Sequence, residues 1–233
     1  MKTKKINNNE ENFIIAASKV WNNNIIEELS LATNKNFKGI FNKNDLTKSI
    51  LDAINPKYIF FTHWSYIIPE EIFLNYDCVV FHMTDLPFGR GGSPLQNLIL
   101  GGYSKTKVSA LKVIKEIDAG PIYSKKDLDL SGNAQEIYER ASKVCEKIII
   151  EMTTKTLEPI PQSGDPTYFE RRRPSQSNLK GASNLDEIYN MIRMLDADGY
   201  PKAFLELKDF KVEFSNCEIK DGIIKTSATF KKI

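Results

Sequence analysis

Two histidines stand in the 233 residues, His63 and His82. Imidazole gains or loses a proton near neutrality, so each is a candidate for proton transfer or charge stabilisation. His82 closes the apolar run "DCVVFHM" (77–83) and precedes the turn-rich "TDLPFGRGGSP" (84–94), with Asp85 and Arg90 near it in the chain. Gly91 and Gly92 let main chain approach a ligand. Asp118, in "EIDAGP" (116–121), offers a carboxylate at the end of a strand that would tune an imidazole or relay a proton; Asp-Ala-Gly-Pro (118–121) is also ordinary turn chemistry. His63 ends a second apolar run in "FTHWSYIIP" (61–69). "ERRRP" (170–174) is a positive cluster, either solvated or set against phosphate or carboxylate. The chain holds no HExxH, P-loop or GxGxxG, and "GRGGSP" lacks the lysine and length of a phosphate loop.

These residues need a scaffold, and the chain supplies one by alternation. Strands are expected at 12–18, 37–41, 57–63 and 77–83. Helices are expected at 22–34, at 42–55 with Asn44 as N-cap, at 69–75, and at 93–102 with Pro94 early and glycines at its end. Strand–helix alternation predicts an α/β fold, a Rossmann-like, mostly parallel sheet with helices on both faces. In such sheets ligands sit beyond the carboxyl ends of the strands, where Ser18, Thr62, His63 and His82 fall, so these are expected to share one crevice. Two strands joined by "EIDAGP" follow (106–131), then a long helix (133–157). A small C-terminal helix and β-strand extension has its helix at 185–197 and short strands over 200–232. The expected organisation is a disordered tail at 1–11, a catalytic domain at 12–160, a linker at 161–184 and the extension at 185–233, too small to stand alone and so packed on the first domain.

Composition excludes several classes. With 32 basic and 30 acidic residues the net charge is +2, which gives no sign of a polyanion binder. Three scattered cysteines without a CxxC pair argue against a disulfide scaffold or a cysteine zinc site, so no metal is expected. No run of 18 apolar residues suggests a membrane helix, and the amino terminus has no apolar segment of a signal peptide, leaving the cytoplasm as the default location.

"VFHMTDLPFGRGGSP" (80–94) resembles the N-x-H-x-S-L-L-P-x-x-R-G-x-x-P signature of the formyltransferases that use 10-formyltetrahydrofolate. His82, Leu86, Pro87, Arg90, Gly91 and Pro94 fall on it. "EIDAGPIY" resembles the family's M-D-x-G-x-I element, and "IRMLDADGYPKAF" (192–204) resembles the R-A-x-x-x-x-Y-P-G-A-F segment of its nucleotide-sugar and methionyl-tRNA members. The likeness covers nearly the whole chain, weakly at the first strand. It implies acyl transfer, with His82 polarising the formyl carbonyl and Asp118 setting the state of His82. It also implies a folate pocket at Trp64, Ser65 and Tyr66 and at Ile114, Lys115, Glu116 and Ile117.

One departure stands out: the family's catalytic Asn, two residues before the His, is Val80. Valine has no donor, and losing such a donor costs roughly a few kcal/mol of transition-state stabilisation. Thr62, His63 and Ser65 are candidate replacements, His63 foremost. The short C-terminal part and balanced charge place a nucleotide-linked amino sugar ahead of tRNA as acceptor, with no nucleic-acid partner expected. Ser18, Lys19, Trp21, Arg90, Gly91, Gly92 and Phe169 are its candidate contacts. The alternatives are a methionyl-tRNA formyltransferase, a catalytically impaired binding homologue, and a formyltetrahydrofolate hydrolase. The strand-rich tail offers an edge to a second copy, which leaves a homodimer open.

Overall fold

The computed structural model describes residues 11–233; the tail expected at 1–11 lies, but for Glu11, outside them. The apolar runs form strands β1 (Asn12–Ala16), β2 (Asn36–Ile40), β3 (Pro56–Phe61) and β4 (Cys78–His82). A two-residue strand β5 (Arg90–Gly91) lies in a separate pair, and β6 (Lys105–Lys112) and β7 (Ile122–Asp129) complete a six-stranded sheet of order β2-β1-β3-β4-β6-β7. β1 runs parallel to β2 and β3, and β3 to β4, whereas β4 and β6 are antiparallel. Phe13, Ile14, Ile15 and Ala16 are all fully buried, as are Ile59, Phe60 and Phe61. Successive strand residues face opposite sides, so both faces are covered, which is why these strands read as continuous apolar runs.

Helices α1 (Ile25–Thr33), α2 (Lys48–Ile54), α3 (Glu70–Phe73), α4 (Pro94–Leu100), α5 (Ala134–Thr154) and α6 (Leu185–Arg193) complete the α/β fold. The helix expected over 42–55 is two pieces. Asn42, not Asn44, caps a single 3-10 turn at Lys43–Asp45, and the Thr47 side chain accepts the Ile50 N–H to start α2. Asn and Thr are both good caps, and the second one restarts the chain. α5 opens on a reciprocal cap, Glu136 N–H to Asn133 Oδ1 at 3.0 Å and Asn133 N–H to Glu136 Oε2 at 2.9 Å. Among the described residues no helix is long and apolar enough to cross a membrane.

The chain divides into two compact units, each made of three stretches. The first takes the chain up to His82 with Val108–Lys126 and Ser142–Gly164; the second takes Met83–Lys107, Asp127–Ala141 and Asp165–Ile233. In the second, strand β8 (Tyr168–Phe169) pairs with β5. Strands β9 (Ala203–Glu206), β10 (Phe210–Lys220) and β11 (Ile223–Lys232) form a sheet of order β11-β10-β9. α6 is tied there by Arg193 Nη1, which donates to the carbonyls of Leu130 (2.8 Å) and Gly132 (2.9 Å). Gln96 Nε2 donates to Tyr138 Oη at 3.2 Å and to the Met194 carbonyl at 3.1 Å.

In the first unit the loop 113–121 between β6 and β7 is the irregular feature that matters. Gly120 lies against β6 so closely that a Cβ there would stand 1.8 Å from the Lys112 carbonyl oxygen. The Lys112 N–H donates to the Pro121 carbonyl at 2.9 Å, closing the loop at its base. Just before the stretch read as a linker, Ile160 and Ile122 exchange N–H···O bonds of 2.8 and 2.9 Å. Gly120→Ala is expected to destabilise the protein by about 2–3 kcal/mol in urea unfolding. Gly181, with nothing near its added Cβ, serves as control, and Gly181→Ala should stay within about 0.5 kcal/mol of wild type.

Candidate functional site

Residues 80 and 82 of a strand point to the same face. On that face His82, 7% exposed, meets the loop 113–121: its Nδ1 lies 3.4 Å from Asp118 Oδ2, and the two side chains are 8% and 11% exposed. The loop leaves the sheet beside the start of β4, since Lys112 pairs with Val79 and the Val113 N–H donates to the Cys78 carbonyl at 2.9 Å. To reach His82 it must climb about three residues of strand, roughly 10 Å. Asp118 was expected at a strand end. It instead sits within the loop with φ +54°, a left-handed conformation that Asp adopts more readily than most side chains. Gln162 holds this turn, its Nε2 donating to the carbonyls of Asp118 (2.8 Å) and Gly120 (2.9 Å). Sequence reasoning missed Gln162, because "PIPQSG" reads as punctuation.

Val80 packs against the buried cluster that includes Ile14, Ile59, Phe61 and Cys78, together with Trp64, Ile68 and Val113. The position that carries an amide in the family signature is here part of an apolar wall.

His63 (φ +51°) lines a narrow cleft of the same unit with Lys19, Val20, Trp21, Asn22, Thr62 and Ser142; neither His82 nor Asp118 is in its lining. Its Nε2 is 3.3 Å from Ser142 Oγ, and the Trp21 ring meets it edge-on at 6.2 Å. Lys19 Nζ stands 5.8 Å over Trp21. Ser18 and Ser65 brace the loop: Ser18 Oγ donates to the His63 carbonyl at 2.7 Å, and the Ser65 N–H donates to Ser18 Oγ at 3.0 Å. Thr62 is buried, its N–H donating to the Ala16 carbonyl. Nothing in the sequence singled out Ser142, which lies within α5.

The loops 64–68 and 113–117 are apolar and partly open. Tyr66, Ile67, Ile114 and Ile117 are exposed, Trp64 meets Tyr66 edge-on at 5.4 Å, and Trp64 Nε1 is buried with no hydrogen-bond partner. Ile114, Lys115 and Ile117 make no main-chain hydrogen bond among the described residues.

In the second unit, Arg90 and Gly91 pair with Tyr168 and Phe169, and a Cβ on Gly91 would lie 2.5 Å from the Phe169 carbonyl oxygen. A Cβ on Gly92 would meet the Arg171 backbone at 2.6 Å. These glycines admit a neighbouring strand. The Phe169 ring packs edge-on against Phe88 at 5.4 Å.

A mostly parallel sheet bearing a buried imidazole–carboxylate pair on a folded-back loop is an arrangement suited to proton and acyl transfer. The family model described as "Methionyl-tRNA formyltransferase, C-terminal domain" matches residues 174–231. The chain is 48% identical to the methionyl-tRNA formyltransferase from Clostridium thermocellum, with a TM-score of 0.92 over 95% of this chain and 99% of that one. It is 27% identical over 188 residues to the methionyl-tRNA formyltransferase of Thermodesulfovibrio yellowstonii, covering 77% of this chain and 60% of that protein. A sugar N-formyltransferase from a Shewanella species shares the fold, with a TM-score of 0.65 at 14% identity over 96% of this chain and 97% of that one. The chain belongs to the formyltransferase family. It spans about 60% of the length of the curated relatives it matches.

Burial pushes His63 down from 6.5 to about 4, so it is neutral at physiological pH. Below pH 6.5 the unfolded chain takes up a proton that the folded chain refuses until about pH 4. Stability should therefore fall as pH drops through that window, by up to about 3 kcal/mol, and level off below it. Urea unfolding from pH 7 to 3.5 should show this fall in wild type and a shallower one in His63→Gln. Identical slopes would rule His63 out as its source.

Proposed function

We propose that this chain is an N-formyltransferase that moves a formyl group from 10-formyltetrahydrofolate to the amine of methionyl-tRNA. The observation that carries the reading is the His82–Asp118 pair, its carboxylate held on a turn, in a chain that is 48% identical to a methionyl-tRNA formyltransferase over 95% of its length. The reading reverses the order of acceptors drawn from sequence. The short C-terminal part and balanced charge had placed an amino sugar first, whereas residues 174–231 match the C-terminal-domain model of methionyl-tRNA formyltransferases, and likeness to a sugar enzyme at 14% identity speaks for the fold alone. A nucleic-acid partner follows from this reading.

The residues fit the donor. Trp64, Tyr66, Ile114 and Ile117 supply apolar surface for a flat ring, and the Trp64 indole N–H and the main chain of residues 114, 115 and 117 supply polar groups for its edge. When bound, the donor supplies an activated formyl carbonyl. The Nε2 of His82 takes the proton that the attacking amine gives up, and the Nε2–H so formed donates to the carbonyl oxygen on which charge has developed, the kind of contact that strengthens in the transition state. Asp118 accepts from Nδ1–H, fixing the ring's orientation and stabilising it when protonated, and so helps take up the proton released by the amine. Ser18, Lys19 and Trp21, with Asn22 and Ser142, offer polar and stacking groups on the acceptor side. His63 is the candidate substitute for the amide missing at Val80; unchanged turnover in His63→Ala would remove it from that role.

The test is transfer of radiolabelled formyl from 10-formyltetrahydrofolate to methionyl-tRNA, to nucleotide-linked amino sugars, or to water. Label in methionyl-tRNA is expected, with His82→Ala and Asp118→Ala each lowering turnover about 10²–10⁴-fold. Label only in an amino sugar would overturn the acceptor. Release without any amine would make the chain a hydrolase, and donor binding without release would make it an impaired homologue.

A further inference from the structure

A side chain from a distant part of the chain reaches the turn that carries Asp118. A φ of +54° at a non-glycine residue costs energy and persists only where surrounding contacts hold it. Loop 113–121 is pinned at its base by Gly120 against Lys112 and by the Lys112–Pro121 bond. Those contacts do not touch the Asp118–Ala119 peptide, whose N–H makes a 3.4 Å bond to the Glu116 carbonyl within the loop. Gln162 holds its carbonyl. Its amide nitrogen has two hydrogens, and the structure uses both, one on the Asp118 carbonyl at 2.8 Å and one on the Gly120 carbonyl at 2.9 Å. Two acceptors two residues apart, bridged by one planar group, define the rotation of the intervening peptides and so the direction of the Asp118 side chain. Two residues before Gln162, Ile160 is bonded to Ile122 through both its N–H and its carbonyl, just past the loop.

We infer that Gln162 is a positioning residue, acting through the main chain of Asp118 to hold its carboxylate against His82. The catalytic part of this inference rests on the formyl-transfer reading; the geometric part does not. Gln162→Ala removes both donors. Gln162→Glu keeps size and shape but replaces the donors with an acceptor facing two carbonyls. Both should lower kcat about 10- to 100-fold, leave KM for methionyl-tRNA within about twofold, and leave cooperative unfolding intact.

A double-mutant cycle separates positioning from general damage. If Gln162 works through Asp118, Gln162→Ala should cost nothing more in an Asp118→Ala background. Multiplicative losses would overturn the inference. A second readout needs no turnover: the imidazole nitrogen chemical shifts of His82, followed by NMR in the folded full chain. Gln162→Ala and Gln162→Glu should move them in the same direction as Asp118→Ala. Wild-type His82 shifts in a folded Gln162→Ala protein would contradict the inference even if no acceptor is ever formylated. Shifts that move without formyl transfer in wild type would keep the positioning role and reject the proposed reaction.

Discussion

Everything at the candidate site depends on one close approach, where Gly120 lies on the carbonyl of Lys112 with no room for a side chain. Because β6 runs antiparallel to β4, a loop leaving its end starts at the wrong end of β4 to meet His82. The chain must climb the sheet face and return within a few residues. The glycine contact and the Lys112–Pro121 bond close the excursion, Gln162 turns its crest, and Asp118 arrives beside Nδ1. The buried faces of β1 and β3 supply the rigidity against which this can be held.

The pair sits beside an unusually apolar wall. Val80 shares its face of the strand with His82 and packs, as Trp64 and Val113 do, against the buried cluster of Ile14, Ile59, Phe61 and Cys78. An apolar surround strengthens a charge–dipole contact to His82 and also withholds a donor that an amide would give. Donor capacity in this unit is found elsewhere: at the buried indole N–H of Trp64, and at His63, kept neutral by desolvation.

The sheet was legible because its strands are buried on both faces, and continuous apolar runs such as "NFIIA" and "IFF" admit few other readings. The start of α5 was legible too, since Asn133 and Glu136 form a cap with a local signature. His82 and Asp118 were found by type and motif, but their meeting is a loop property that no local pattern encodes. Gln162 was invisible because its bonds to the carbonyls of 118 and 120 reach more than forty residues back from a segment with linker composition. The two-part helix at 43–54 was misread for a simpler reason: Asn42, Asn44 and Thr47 are all plausible caps, and only tertiary packing of Leu46 and Leu51 chooses among them. The shortness of the C-terminal part had put an amino sugar first, whereas the match of residues 174–231 to the C-terminal-domain model of methionyl-tRNA formyltransferases backs the tRNA alternative better.

The central claim is that Asp118 fixes His82 with its proton on Nδ1. Nitrogen-15 NMR of the imidazole in the folded protein reads that directly. A neutral His82 protonated on Nδ1, reverting toward the ordinary Nε2–H form in Asp118→Asn, is the result the account predicts. An Nε2–H ring in wild type, indifferent to Asp118→Asn, would contradict it.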